Sequence, residues 1–330
     1  MSKVFLIHGI GVHAEDWAAK LVEQLTESWK SFDSLGAKPI PDFISINYDT
    51  LFDRYRGRIA EAANDLGGFD DGGKLLGVMR QALGKAGGDN FFATHIQDLL
   101  LFLNPLFKQQ ILTDVWQQIA AHQPGANEVF RFSVIAHSLG TAVIQQTLQA
   151  QARLEKDNLG SPMFRVGALM MIANVSSLLE RKDAPHIYDS FVRPSRDTSG
   201  VVDIYLNARN KLDPVCKPKE FVASGTDWIN AKDDKRFLDI PVSFLKESLN
   251  PHSLEDYLGH PEIVVPLFRA IVSGKTPTNV ELQKKLGSYQ SYAQVPGLNG
   301  KVAEYVNVAA GPTVASLLGI LAQIAVLSHH

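Results

Sequence analysis

An apolar run ends on a histidine, a serine and a glycine in VIAHSLGTAV, residues 134–143. Phe132, Val134 and Ile135 suit a buried strand, and Ala142, Val143, Gln146 and Leu148 suit a helix packed beside it, which leaves Ser138 on the turn between them. A serine hydroxyl becomes a nucleophile only when a base removes its proton, and it must project from the backbone to reach a substrate. A tight strand-to-helix turn supplies that projection. Ala136 and Gly140, two before and two after the serine, are small enough for strand and helix to approach closely. The N-terminus of the following helix favours negative charge developing on a substrate oxygen. A second glycine-rich loop follows VFLI at 4–7: His8, Gly9, Ile10 and Gly11.

These loops need strands and helices to hold them. VFLI opens the chain as a strand, and Ala14 to Trp29 carries apolar residues at helical spacing. FISINY at 43–48 is the next strand, followed by FRFSVIA, RVGALMMIA, VVDIYLN and RFLDIPV, starting at 130, 165, 201 and 236. Helix-length segments lie between most of them, the alternation of a parallel sheet with helices on both faces. His95 to Ala120 reads as two helices, the second opened by Pro105. Residues 57–90, with GGFDDGG and GKAGGD, read either as a lid or as an ordinary surface loop.

Composition bounds the partners. Apolar residues make up 45% of the 330 and charged ones 20%, the balance of a globular chain. The net charge of −3 gives no electrostatic reason to expect nucleic acid or anionic lipid. Cys216, the single cysteine, excludes an intramolecular disulfide and a clustered thiolate metal site, and fits a reducing compartment. MSKVFLIHG lacks the basic region and long apolar core of a secretory signal, so a cytoplasmic location is expected. Tyr305 to Ser328 carries no charged side chain and, if helical, would reach about 36 Å, but Gly311 and Pro312 interrupt it. It reads first as a docked helix, with a membrane-surface or subunit contact as the alternative.

AHSLG resembles the nucleophile elbow of the α/β-hydrolase superfamily, in the alanine-first variant of some bacterial lipases, and the HG loop after the first strand is similar to that of lipases and esterases. The resemblance covers roughly residues 3–272 and implies a mainly parallel sheet flanked by helices. It places a hydrolase domain at 1–275 with a helical insertion at about 51–125, leaving a C-terminal extension at 276–330. It also implies an order of serine, acid, histidine. On this order Ser138 is the nucleophile, Asp213 the acid in the loop after VVDIYLN, and His252 the base in the loop after RFLDIPV. Asp203, inside a strand, ranks second as acid. His260 is the rival base, and His137 is expected to point away from Ser138. The resemblance assigns the oxyanion hole to the N–H groups of Ile10 and Leu139, supported by His8, Gly9 and Gly11.

The activity so implied is serine hydrolysis of a small-molecule or lipid ester through an acyl-enzyme, with no cofactor and no metal. An acyltransferase or thioesterase would use the same residues, and a non-catalytic binding scaffold is the alternative of another class.

Overall fold

The computed structural model describes residues 2–9, 14–52, 54, 102, 105–125, 128–177, 190–195, 199–213, 221, 234–246 and 250–289. The lid candidate at 57–90, Cys216 and the apolar tail at 305–328 lie outside these residues, as do Ile10 and Gly11.

The apolar runs become strands β1 (Lys3–Ile7), β2 (Asp42–Ile46), β3 (Phe130–His137), β4 (Phe164–Ile172), β5 (Val202–Asn210) and β6 (Phe237–Val242). They form one parallel sheet in the order β2-β1-β3-β4-β5-β6. Two elements differ from the sequence expectation in extent. The strand that begins at VVDIYLN does not end near Leu206 but continues to Asn210, because Asn207 and Arg209 both bond Asp239 on β6 and so keep their polar side chains satisfied within the sheet. Pro241 is tolerated in β6 because that strand is an edge and needs no further ladder partner.

Helices cover both faces, as an all-parallel sheet requires. Successive β1 side chains alternate between them. Phe5 and Ile7 pack in one core with helix α2 (Pro105–Ala120) and helix α3 (Leu139–Leu159), while Val4 and Leu6 pack in the other with α1 (Ala19–Lys30), α4 (Leu254–Gly259) and α5 (Pro261–Ile271). Within the second core Trp29 of α1 meets the Phe268 ring at 5.0 Å, and each such fully buried side chain contributes about 1.5–3 kcal/mol. The first helix starts at Ala19 rather than Ala14; before it, Trp17 and Ala19 donate to Ala14 and Asp16 in turns. The Pro105 helix puts Ile111, Val115 and Ile119 in the central core, fully buried. Helix α6 (Asn279–Ser288) is held by Glu281, whose carboxylate takes four hydrogen bonds, from the N–H groups and hydroxyls of Ser34 and Thr278.

The chain leaves β1 toward α1 on one face and β3 toward α3 on the other, although β1 and β3 are neighbours. The connections therefore diverge beyond the C-terminal ends of these two strands and open a crevice there, where ligands bind in open α/β sheets. Gly9 and Ser138 stand at that crevice.

Candidate active site

Every residue of β3 except Arg131 is buried, and the strand runs directly into Ser138, which has φ 53° and ψ −127°. An L-residue with a side chain reaches this region only where its surroundings over-determine it, at a cost of about 1–3 kcal/mol. The surroundings do so from both sides. The Ser138 N–H donates to Ile172 O on β4 at 3.0 Å, and the Ser138 carbonyl accepts from both the N–H and the hydroxyl of Thr141, at 2.9 and 2.6 Å. Thr141 Oγ1 in turn accepts from Val175 N–H at 3.0 Å, so the loop after β4 braces the first turn of α3.

The two glycines have steric reasons to be glycines. A Cβ at Gly140 would lie 2.2 Å from His8 O and 2.9 Å from Ile7 O, so the close approach that fixes this residue is to the end of β1, not to the strand that precedes the turn. A Cβ at Gly9 would lie 2.8 Å from Ser138 Cβ. Either side chain would push the turn and the first loop apart.

The loop itself is tied down by His8, whose Nδ1 pairs with Gly9 O at 2.8 Å. Its ring stacks on Tyr48 at 4.2 Å, and Tyr48 Oη donates to His8 O at 2.7 Å. Leu139 opens α3, and among the described residues its N–H has no acceptor, which leaves a donor free at the helix N-terminus. Ile10, the other donor the resemblance implies, and Gly11 of the supporting loop lie outside the described residues.

Asp213 is fully buried three residues after β5. Its Oδ2 lies 2.7 Å from His252 Nδ1. A carboxylate only accepts, so Nδ1 is the donor in this contact. Asn210 sets this spacing. Its side-chain amide donates to Phe244 O and Pro251 O at 2.8 and 3.2 Å, joining the end of β5 to the loop that carries His252. Asn250 Oδ1 accepts from His252 N–H at 3.0 Å.

The His252 ring lies 4.5 Å from the ring of His137, the residue before Ser138. His137 therefore meets the histidine of the acid pair. That contact brings the Asp213–His252 pair to the Ser138 turn. Among the described residues the Ser138 hydroxyl forms no hydrogen bond.

The rival residues have other duties. His260 caps α5, its Nδ1 accepting from Glu262 N–H at 3.2 Å, and burial, then the Lys246 charge, push its pKa down to about 4. The Nδ1 lone pair is engaged in that cap. Asp203 lies in β5 and bonds Arg131 Nη2 and Arg165 Nε, each at 2.5 Å. Arg131 is the second residue of β3, so this cluster sits near the N-terminal end of that strand, away from Ser138.

Sequence reasoning missed Asn210, Thr141 and Tyr257. Asn210 had a signal: a polar residue closing a strand just before an assigned acid. The hydroxyls of Thr141 and Tyr257 act through contacts with distant elements and left no local trace. Among the described residues no group of three or more His, Cys, Asp or Glu side chains is placed to hold a metal ion, and no helix is long and apolar enough to cross a membrane. No family model, curated protein or solved structure matches the chain.

Proposed function

We propose that this protein is a serine hydrolase of carboxylic esters, esterase- or lipase-like, and a member of the α/β-hydrolase superfamily. The observation that carries the reading is Ser138 held at φ 53° between strand and helix, directly after His137, whose ring lies 4.5 Å from that of His252 in a buried His252–Asp213 pair bonded at 2.7 Å. The strand order differs from the superfamily's usual one, so the family part of the proposal rests on the turn and on the residue order serine, acid, histidine.

In this reading His252 Nε2 takes the Ser138 proton as Oγ attacks the ester carbonyl. The imidazolium so formed is stabilised by Asp213, which remains ionised. The oxyanion is met by the Leu139 N–H, with Ile10 as the second donor; each such donor contributes about 3 kcal/mol. His252 then protonates the departing alkoxide, the alcohol leaves, and water attacks the acyl-enzyme with His252 again as base. No cofactor enters the cycle.

Labelling with a fluorophosphonate probe tests the reading. Covalent labelling of the native protein that disappears in Ser138→Ala is expected, together with Ser138-dependent hydrolysis of p-nitrophenyl esters. Folded native protein that neither labels nor hydrolyses, with detergent or lipid present, overturns it in favour of a non-catalytic scaffold.

A further inference from the structure

The carboxylate of Asp213 has a second donor that the sequence did not announce. Tyr257, fully buried on α4, donates its hydroxyl to Asp213 Oδ2 at 3.0 Å, the same oxygen that meets His252 Nδ1. The phenol oxygen also accepts from Asn210 N–H at 2.8 Å, at the last residue of β5. Its ring is wedged edge-on against Phe244 at 5.3 Å and faces His137 at 6.3 Å. The hydroxyl therefore has a fixed position and a fixed direction: the backbone of β5 supplies its proton donor, and its own proton has the carboxylate as acceptor.

Resting on the hydrolase reading, we propose that Tyr257 is a positioning residue for that reaction. It holds the Asp213 carboxylate and, by sharing one oxygen with the imidazole, tunes the basicity of His252. Two donors on one oxygen divide its negative charge between them. The hydrogen bond from Tyr257 makes Oδ2 a weaker partner for the imidazolium and so restrains the proton affinity of His252. It also removes one direction in which Asp213 could turn from the ring. Among the described residues, the titratable side chains with a stated contact to the pair are Tyr257 on α4 and His137 at the end of β3.

Tyr257→Phe is the test. The variant keeps the ring packing and deletes both bonds of the hydroxyl. In the kcat/KM profile the acid limb, which reports the imidazole of the free enzyme, is expected to move upward by about one pH unit. KM should stay near wild type and kcat should fall several-fold. The proton resonance of His252 Nδ1–H should move downfield as Asp213 Oδ2 loses the donor it shares with the imidazole. Because Tyr257→Phe also leaves the buried Asn210 N–H without its acceptor, a fluorinated tyrosine at position 257 serves as the second variant. Its more acidic hydroxyl is a stronger donor, and both the acid limb and the resonance should move the opposite way. An unmoved limb and resonance in either folded variant, with Ser138-dependent turnover intact, overturns the role of Tyr257 alone. Native protein with no Ser138-dependent turnover overturns the hydrolase reading instead; an Nδ1–H resonance that ignores the fluorinated hydroxyl would then overturn the tuning as well.

Discussion

Placing a methyl group at position 140 tests how the Ser138 turn is built. A Cβ there would meet the His8 carbonyl oxygen at 2.2 Å and that of Ile7 at 2.9 Å. A carbon needs about 3.3 Å from such an oxygen, so α3 must retreat from β1 by about 1 Å. Neither oxygen can swing aside, because both belong to backbone at the end of a central strand. Forcing volume into a packed interior costs about 1–3 kcal/mol, and rigid backbone on both sides puts this site at the upper end. The displacement also moves Ser138, two residues away, and a shift of about 1 Å at a reacting group costs roughly a hundredfold in rate. Gly140→Ala is therefore expected to lower stability in urea unfolding by about 3 kcal/mol and ester hydrolysis by about two orders of magnitude. Gly287→Ala is the control. Its Cβ would meet nothing within 4 Å, and on helix α6 it should be neutral or stabilising by less than about 1 kcal/mol. A Gly140→Ala variant with a wild-type unfolding midpoint and full turnover would refute the steric argument.

Asp213→Asn keeps the shape but lets the imidazole adopt the wrong tautomer; kcat for p-nitrophenyl esters should drop by ~10⁴-fold, with near-native circular dichroism. His260 has its pKa pushed down to about 4, so between pH 6.5 and 4 the unfolded chain binds the extra proton. Its contribution is complete above pH 6.5 and is lost on acidification, by at most roughly 3 kcal/mol. His260→Asn, which keeps a capping oxygen but cannot titrate, should flatten that part of the urea-midpoint curve; an unchanged slope would remove His260 from the account. Glu281 is slightly buried, which opposes ionisation, but the hydrogen bonds from Ser34 and Thr278 outweigh this and pull its pKa down to about 2. Its stabilisation is complete above pH 4.5 and is lost as pH falls toward 2. Glu281→Ala should therefore speed amide exchange in α6 at neutral pH, with the difference from wild type narrowing in acid.

The legible parts of the fold were those written in local pattern. All six strands announced themselves as apolar runs, and the Ser138 turn as small residues around a serine. The end of β5 was obscured because Asn207 and Arg209 look like loop residues until Asp239 is placed beside them by β6. His260 looked like a rival base because a histidine before proline carries no mark of capping until Glu262 N–H turns toward it. Glycine at 140 was expected from the serine turn, but the backbone it accommodates belongs to a strand more than a hundred residues earlier.

Local pattern fixes which residue types are available and in what order: a serine between an apolar strand and a helix, then an acid, then a histidine. The resemblance implies roles for them. Which of these groups meet is settled by the packing of remote elements. Asp213 and His252 are brought to 2.7 Å by the parallel pairing of β5 with β6 and by Asn210 bonding across to the His252 loop. Those contacts join residues remote in the chain, and their geometry follows from strand register and side-chain direction. Neither is a property of any short stretch of residues.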